Sequence, residues 1–245
     1  MSFKNAVKSL IAASGWSVKR TKNLPTSVDW SLDIKRKLPS VKPGVIFDVG
    51  ANVGQTTMWL RRQFPEANVH AFEPVPTTYA SLLQATSGLP RVCCHSIALG
   101  DAAGVRTIQT IPNEERNSLV TGIFERHPEA QKVEIRIQTV DAFCQEHGIG
   151  QIDVLKTDTE GYDIAVIDGA ARMLSGKGIG VIVSEVTFDP GDRLHTSFKE
   201  LCVRLSDHGF LACGFYETET LFNVSELGSY CNAMFVRRDL IRSGA

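Results

Sequence analysis

The run Val45-Ile46-Phe47-Asp48-Val49-Gly50-Ala51-Asn52-Val53-Gly54-Gln55, followed by Val69-His70-Ala71-Phe72-Glu73-Pro74, constrains the fold more than any other part of the chain. An apolar run ends in a glycine-punctuated turn, and a helical pattern begins at once. A second apolar run then ends in a lone carboxylate. This order predicts a strand–turn–helix–strand unit whose open end holds a nucleotide-like ligand. Glycines there let backbone approach the ligand, the helix N-terminus offers N–H groups, and an acid at the second strand's tip accepts ribose hydroxyls. The turn reads D-x-G-x-N-x-G, not G-x-G-x-x-G. Asp48 would repel a pyrophosphate and suits a ligand whose near end carries an ammonium group.

From Gly44 onward the chain alternates strand and helix. Strands are expected over 44–49, 68–73, 91–97, 152–157 and 179–186, with helices over 54–64, 76–86, 139–147, 162–174 and 195–208 between them or after them. Residues 104–110 and 133–138 read as an antiparallel excursion around a polar loop, 111–132. Residues 210–216 and 230–237 have no helix between them and read as a closing hairpin. The pattern predicts a mostly parallel sheet with helices on both faces and an antiparallel edge hairpin. Before it, residues 1–40 read as a helical extension, with Phe3, Val7, Leu10 and Ile11 at helical spacing over 2–13, and residues 41–245 as the main domain. Lys35-Arg36-Lys37 reads as a solvated helix face.

A length of 245 residues and a hydrophobic share of 43% allow one large α/β domain with a full core. The formal net charge of -1 gives no basic field to gather nucleic acid. None of the six cysteines forms a C-x-x-C pair, and several lie in apolar runs, so free buried thiols in a reducing compartment are expected. No stretch is apolar enough to span a membrane, and the short Leu10-Ile11-Ala12-Ala13 run does not make a signal segment, so the reading is cytoplasmic.

The residues that carry chemistry cluster at strand ends. Gly50, Asn52 and Gly54 form the first turn, and Gln55 and Thr56 open the helix after it, where free N–H groups can meet a carboxylate. Glu73 ends the second strand. Ile97 and Ala98 follow the third and offer an apolar wall, with Ser96 or Asp101 beside it. Asp158 and Glu160 end the strand 152–157 at the same edge, where paired acids can bind an ammonium, orient a hydroxyl or hold a hard metal. The competing reading of these two acids is helix capping. Glu185 ends the next strand, and His195 lies in the loop after it, placed to act as a general base. Asn117-Ser118 lies in the long polar loop, a candidate lid.

Several of these segments together resemble the FkbM family of S-adenosylmethionine-dependent methyltransferases. They are Ile46–Gln55, Ala71-Phe72-Glu73-Pro74, Ile97-Ala98-Leu99-Gly100-Asp101, Asn117-Ser118-Leu119, Lys156-Thr157-Asp158-Thr159-Glu160-Gly161, Ile167-Asp168-Gly169-Ala170 and Asn232-Ala233-Met234-Phe235-Val236. The resemblance covers roughly residues 40–238. It implies a Rossmann-like class I methyltransferase with a seven-stranded sheet, S-adenosyl-L-methionine as cofactor, and O-methylation of a sugar, glycan or glycosylated natural product. Asp48, Gly50, Asn52, Gly54 and Glu73 then look like cofactor residues, together with Asp158, and Asp158 and Glu160 like acids of the reaction centre. Thr157, Thr159 and Asp163 depart from the family's usual residues. The expected partner is a small-molecule or glycan hydroxyl acceptor, with no nucleic acid; homo-oligomerisation stays open. No ligand triad for a metal is legible, although three acids on one edge leave metal assistance open. Two other functions remain as alternatives: a non-catalytic S-adenosylmethionine-binding protein, and a nicotinamide-dependent oxidoreductase, which Asn52 and Asp48 disfavour.

Overall fold

The computed structural model describes residues 23–110, 117–118, 131–218 and 230–242. The helix expected over 2–13 and most of the polar loop 111–132 lie outside the described residues. The first described helix, α1 (Trp30–Lys37), begins where the Asp29 carboxylate accepts the N–H groups of Ser31 and Leu32, so two donors that a helix start leaves open are satisfied. Trp30, Ile34 and Leu38 recur at helical spacing and are buried, whereas Lys35 and Lys37 are exposed.

Strands β1 (Val45–Val49), β2 (Asn68–Phe72) and β3 (Val92–His95) alternate with helices α2 (Gln55–Gln63) and α3 (Pro76–Thr86). There follow β4 (Ala98–Leu99), β5 (Gly104–Thr110), β6 (Asn117–Ser118) and β7 (Gln131–Gln138), then α4 (Val140–Glu146) and β8 (Ile152–Thr157). The chain closes with α5 (Asp163–Asp168), α6 (Ala171–Ser175), β9 (Ile179–Thr187), β10 (Thr196–Ser197), α7 (Phe198–Asp207), β11 (Phe210–Tyr216), β12 (Tyr230–Arg237) and α8 (Arg238–Arg242).

The main sheet runs β11-β12-β9-β8-β1-β2-β3. Its pairs are parallel except those of β12, which is antiparallel to both β9 and β11. Seven strands follow this path as expected, but the two-residue β10 also pairs with β9, so the sheet has eight. β1 sits between β2 and β8, the point where the chain reverses its direction of strand addition, and a crevice opens there at the carboxyl ends. Both faces are covered. Along β12, Cys231, Ala233 and Phe235 belong to one core, and Met234 and Val236 to the core on the other face. This two-residue alternation buries the sheet on both sides, at about 1.5–3 kcal/mol per large apolar side chain.

Three expectations about elements change. The strand expected over 91–97 stops at His95, and the chain crosses at Ala98 into a second sheet ordered β4-β7-β5-β6. The antiparallel excursion is therefore β5 paired with β7 in a sheet of its own. The single helix expected over 162–174 is two, α5 and α6. Gly169 separates them because its backbone lies against the Gly100 carbonyl: a Cβ there would sit 1.9 Å from that oxygen. The Asp141 carboxylate then accepts the N–H groups of Arg172 and Met173 at the start of α6, so a side chain from α4 caps the second helix. Of the six cysteines only Cys144 and Cys231 are buried, and all six are free.

One ring cluster underlies β2 and β3. His70 and His95 stack nearly parallel, with Nδ1 and Nε2 3.1 Å apart, against Phe72 and Phe143. Burial, then the neighbouring His70 and His147, pushes the His95 imidazole down to about 4. An unfolded chain takes up this proton near pH 6.5, while the folded chain resists it until about pH 4. The stability that neutral His95 contributes is thus present above pH 6.5 and lost as pH falls through that window. Urea midpoints measured from pH 7 to pH 4 should fall less steeply for His95→Phe than for the parent chain.

Candidate active site

The first turn is built from three residues in the left-handed region: Gly50 (φ 81°), Asn52 (φ 50°) and Gly54 (φ 98°). Gly50 and Ala51 both donate their N–H groups to the Phe72 carbonyl, which ties the turn to the end of β2. Glycine at position 50 also answers a packing constraint. A Cβ there would lie 1.8 Å from the Asp158 carbonyl oxygen, so the missing side chain admits the turn after β8. Gly54 has a packing role as well: a Cβ would press on Leu82 of α3 at 3.0 Å.

A cavity of about 310 Å³ opens at these strand ends. Of the residues singled out from sequence, it brings together Gly50, Asn52, Gln55, Thr56, Glu73, Ala98, Asp158, Glu160, Glu185 and His195. Asp48, Gly54 and Ile97 do not line it. Asp48 lies behind the wall, where the Thr57 hydroxyl donates to its carboxylate at 2.5 Å, and Ile97 packs in the core. Leu99 and Ile108 of the second sheet stand in the wall where Ile97 was expected. Ser96 does not line the cavity, and Asp101 accepts the hydroxyl of Tyr162 at 3.1 Å. The side chains of Asn117 and Ser118 fall outside the described residues.

Glu73 is held from both sides. One oxygen accepts the Asn52 N–H at 3.2 Å and the other accepts the Val75 N–H at 2.9 Å. Each oxygen keeps a further lone pair for another donor. Burial dominates over these two bonds and pushes its carboxyl up to about 7. Thr159 also lines the cavity, and its hydroxyl is buried without a hydrogen-bond partner.

Beside these stands a residue that sequence reading passed over. Lys156 sits in β8 directly opposite Asp48 of β1 and is 3% exposed. Its ammonium donates to Asp158 at 3.1 Å and to the Thr157 carbonyl at 3.1 Å. Burial opposes its charge, but Asp158, Glu185 and Asp48 together overcome that, and its pKa rises. The available signal was a lysine inside an otherwise apolar strand, which needs an anionic partner to be buried.

Asp158 and Glu160 lie ahead of the helix that follows. α5 starts after Tyr162, which makes no side-chain cap bond, and Asp158 pairs with Lys156. Glu160 adopts a positive φ of 50°, a conformation that costs a non-glycine residue about 1–2 kcal/mol and is concentrated at functional sites. Beneath the acids, the Thr157 hydroxyl donates to Ser184, and both Ser184 and Thr196 donate to the buried Asp163 carboxylate. Two of the unusual residues, Thr157 and Asp163, thus belong to one hydrogen-bond network.

The far wall comes from β9, the loop after it, and β12. His195 lies flat on Tyr230, ring centroids 4.0 Å apart. Its Nδ1 is 2.7 Å from Asp192 Oδ2 and its Nε2 is 3.5 Å from Glu185 Oε2. Burial, followed by repulsion from Asp158, pushes the Glu185 carboxyl up to about 9, with Lys156 pulling the other way. Among the described residues, no three His, Cys, Asp or Glu side chains come together as a metal-binding group, and no helix is long and apolar enough to cross a membrane.

A mostly parallel sheet with one reversed strand near its edge, and an acid-lined cavity at the switch point beside β1, define the class I methyltransferase architecture. The methyltransferase FkbM domain model matches residues 48–212, and the chain belongs to that family. With the family comes its cofactor, S-adenosylmethionine, and the site fits it: a braced carboxylate for ribose hydroxyls, an unpartnered Thr159 hydroxyl, and a surplus of carboxylates over ammonium groups to face a cation. Methyltransferase sdnD of Sordaria araneosa is 29% identical over 156 residues, 51% of this chain and 59% of its own. The 31-O-demethyl-FK506 methyltransferase FkbM of Streptomyces tacrolimicus is 27% identical over 222 residues, 76% of this chain and 80% of its own. The 2-O-methyltransferase NoeI of Sinorhizobium fredii (strain NBRC 101917 / NGR234) is 28% identical over 170 residues, 62% and 67% of the two chains. The chain thus spans less than two thirds of the length of sdnD.

The raised carboxyl of Glu185 has a consequence for stability. A folded pKa above the unfolded value means that the stability it contributes is full below about pH 4.5 and is lost as pH rises toward 9. In the absence of cofactor, Glu185→Gln should therefore be more stable than the parent at pH 8, by about 1–3 kcal/mol, and equal to it near pH 4. Urea titrations at the two pH values check this.

Proposed function

We propose that this chain is an S-adenosylmethionine-dependent O-methyltransferase that acts on a hydroxyl of a sugar, glycan or glycosylated small molecule. The observation that carries the reading is the meeting, in one cavity, of Glu73 braced by two backbone N–H groups and His195 braced by Asp192. The first suits a ribose, the second the removal of a proton from an acceptor. Two of the similar proteins are O-methyltransferases by name, and one of those names gives a 2-O position. Tyr162 and Tyr230 add aromatic surface between carboxylates, a mixture that takes both the apolar and the hydroxyl-bearing sides of a sugar.

When bound, S-adenosylmethionine supplies a methyl group on a good leaving group. The work left to the protein is alignment and proton removal. Glu73 holds the cofactor by its ribose hydroxyls. Lys156 holds Asp158 in place through their ion pair, so that the carboxylates of the wall do not repel one another apart. Asp158 and Glu160 face the cavity as acceptors that orient the substrate hydroxyl. His195 takes that hydroxyl's proton, and the resulting imidazolium is stabilised by Asp192.

Glu73→Ala should weaken S-adenosylmethionine binding by about 1.5–3 kcal/mol, through loss of charge-assisted hydrogen bonds. Calorimetric titration of a folded variant measures it, and an unchanged affinity would sink the ribose assignment.

Transfer of labelled methyl from S-adenosylmethionine to a panel of simple glycosides tests the acceptor class. With the best of these, Asp158→Asn and Glu160→Gln should each lower turnover by more than tenfold; melting temperature should stay near that of the parent for Glu160→Gln and fall for Asp158→Asn, which leaves the buried Lys156 without its ion-pair partner. Full activity in both variants would remove these acids from the mechanism.

A further inference from the structure

We propose that Asp192 is the positioning residue of His195, fixing a proton on Nδ1 so that Nε2 is the basic nitrogen presented to the cavity wall. This rests on the reading of the site as a hydroxyl methyltransferase and extends it to a residue that carries no motif of its own. Its two oxygens divide their tasks. Oδ1 accepts the backbone N–H groups of Leu194 and His195, at 2.8 and 3.2 Å, and so shapes the loop. Oδ2 lies 2.7 Å from His195 Nδ1. An ionised carboxylate can only accept, so the ring nitrogen facing it carries the proton and the other ring nitrogen is left with its lone pair.

The surroundings of the ring enforce the same choice. The Asp192 side chain is 2% exposed and that of His195 is 6% exposed, so water competes little for either. Tyr230 of β12 covers one ring face, which blocks rotation about the ring plane. The next residue, Thr196, donates its hydroxyl to the buried Asp163 carboxylate, and β10 pairs with the end of β9. The loop is therefore pinned on both sides of the histidine. The groups that face the imidazole are Asp192 from its own loop, Glu185 from β9 and Tyr230 from β12; Asp158 and Glu160 lie beyond Glu185 in the same wall. Arg193, the nearest cation in sequence, is exposed.

This is the arrangement by which a buried carboxylate sets the tautomer of a catalytic histidine and stabilises its protonated form. Here Nε2 would take the acceptor's proton, and the positive charge that forms would lie against the Asp192 carboxylate.

The division between the two oxygens makes Asp192→Asn a clean test. Asparagine keeps Oδ1 for the two backbone donors and replaces Oδ2 with an NH₂ group that donates, which forces Nδ1 to accept and moves the proton to Nε2. Proton–nitrogen correlation spectra of the full chain labelled with ¹⁵N-histidine, with the His195 signals assigned through His195→Gln, read this directly. In the parent chain, neutral His195 should be Nδ1-protonated by roughly tenfold or more over the other tautomer. In Asp192→Asn the ratio should invert. A parent chain that carries the proton on Nε2 overturns the proposal, even if the variant does not fold. So does an unchanged ratio in a folded variant. Calorimetry of the parent with S-adenosylmethionine separates this from the functional reading: absence of binding would defeat that reading while leaving the tautomer result to stand or fall by itself.

Discussion

A buried ammonium lies among the carboxylates at the carboxyl ends of three neighbouring strands. Lys156 of β8 is in register with Asp48 of β1, feels the charges of Asp48 and of Glu185 on β9, and pairs with Asp158 just past its own strand. Without it, the buried Asp48 and the mostly buried Glu185 would lie near Asp158 with no cation to offset their charge. With it, Asp158 is anchored and Glu185 is the group left protonated, pushed up to about 9. The site is thus charge-asymmetric before any ligand arrives, and a cation entering it completes a balance that one lysine alone leaves short.

The second constraint is steric. The turns after β1 and β8 close on each other so tightly that a single Cβ at Gly50 would overlap the Asp158 carbonyl. The same logic recurs at Gly169 against Gly100. Both contacts are backbone on backbone, where neighbours cannot swing aside as side chains do. The first sets how closely the turn after β1 approaches the turn after β8, and the second how closely α5 approaches the end of β4. Below them, Thr157, Ser184, Asp163 and Thr196 satisfy one another in a buried hydrogen-bond chain that links β8, β9, α5 and β10. Such a chain is favourable only when every member is paired. Thr157 and Asp163 therefore make sense together and not singly.

Much of this was legible in the residues. Strand-to-helix alternation, the glycine turn, and acids at the ends of β2, β8 and β9 placed ten of the singled-out residues around one cavity. What escaped had long-range causes. Period alone reads 162–174 as one helix, because the Gly100 carbonyl that breaks it lies 69 positions away in sequence. The crossing from β3 into a second sheet at Ala98 depends on pairing with β7, about forty residues later. Asp48, expected at the ligand, stands behind the cavity wall and accepts the Thr57 hydroxyl from the first turn of α2, a bond that strand periodicity does not reveal. Asp192 was not singled out, because an acid in a loop of Asp-Pro-Gly-Asp is ordinary turn chemistry. Half of its carboxylate does serve that turn; the other half meets His195.

β12 alone runs against its neighbours in the main sheet, so it brings its first residue, not its last, to the edge where the cavity lies. Tyr230 stands there in register with Thr187. The ring under His195 is indexed by a strand ladder and not by the segment that leads into it. The surface beneath His195 is thus written into sheet pairing, so its position is inherited from the ladder of β12 on β9.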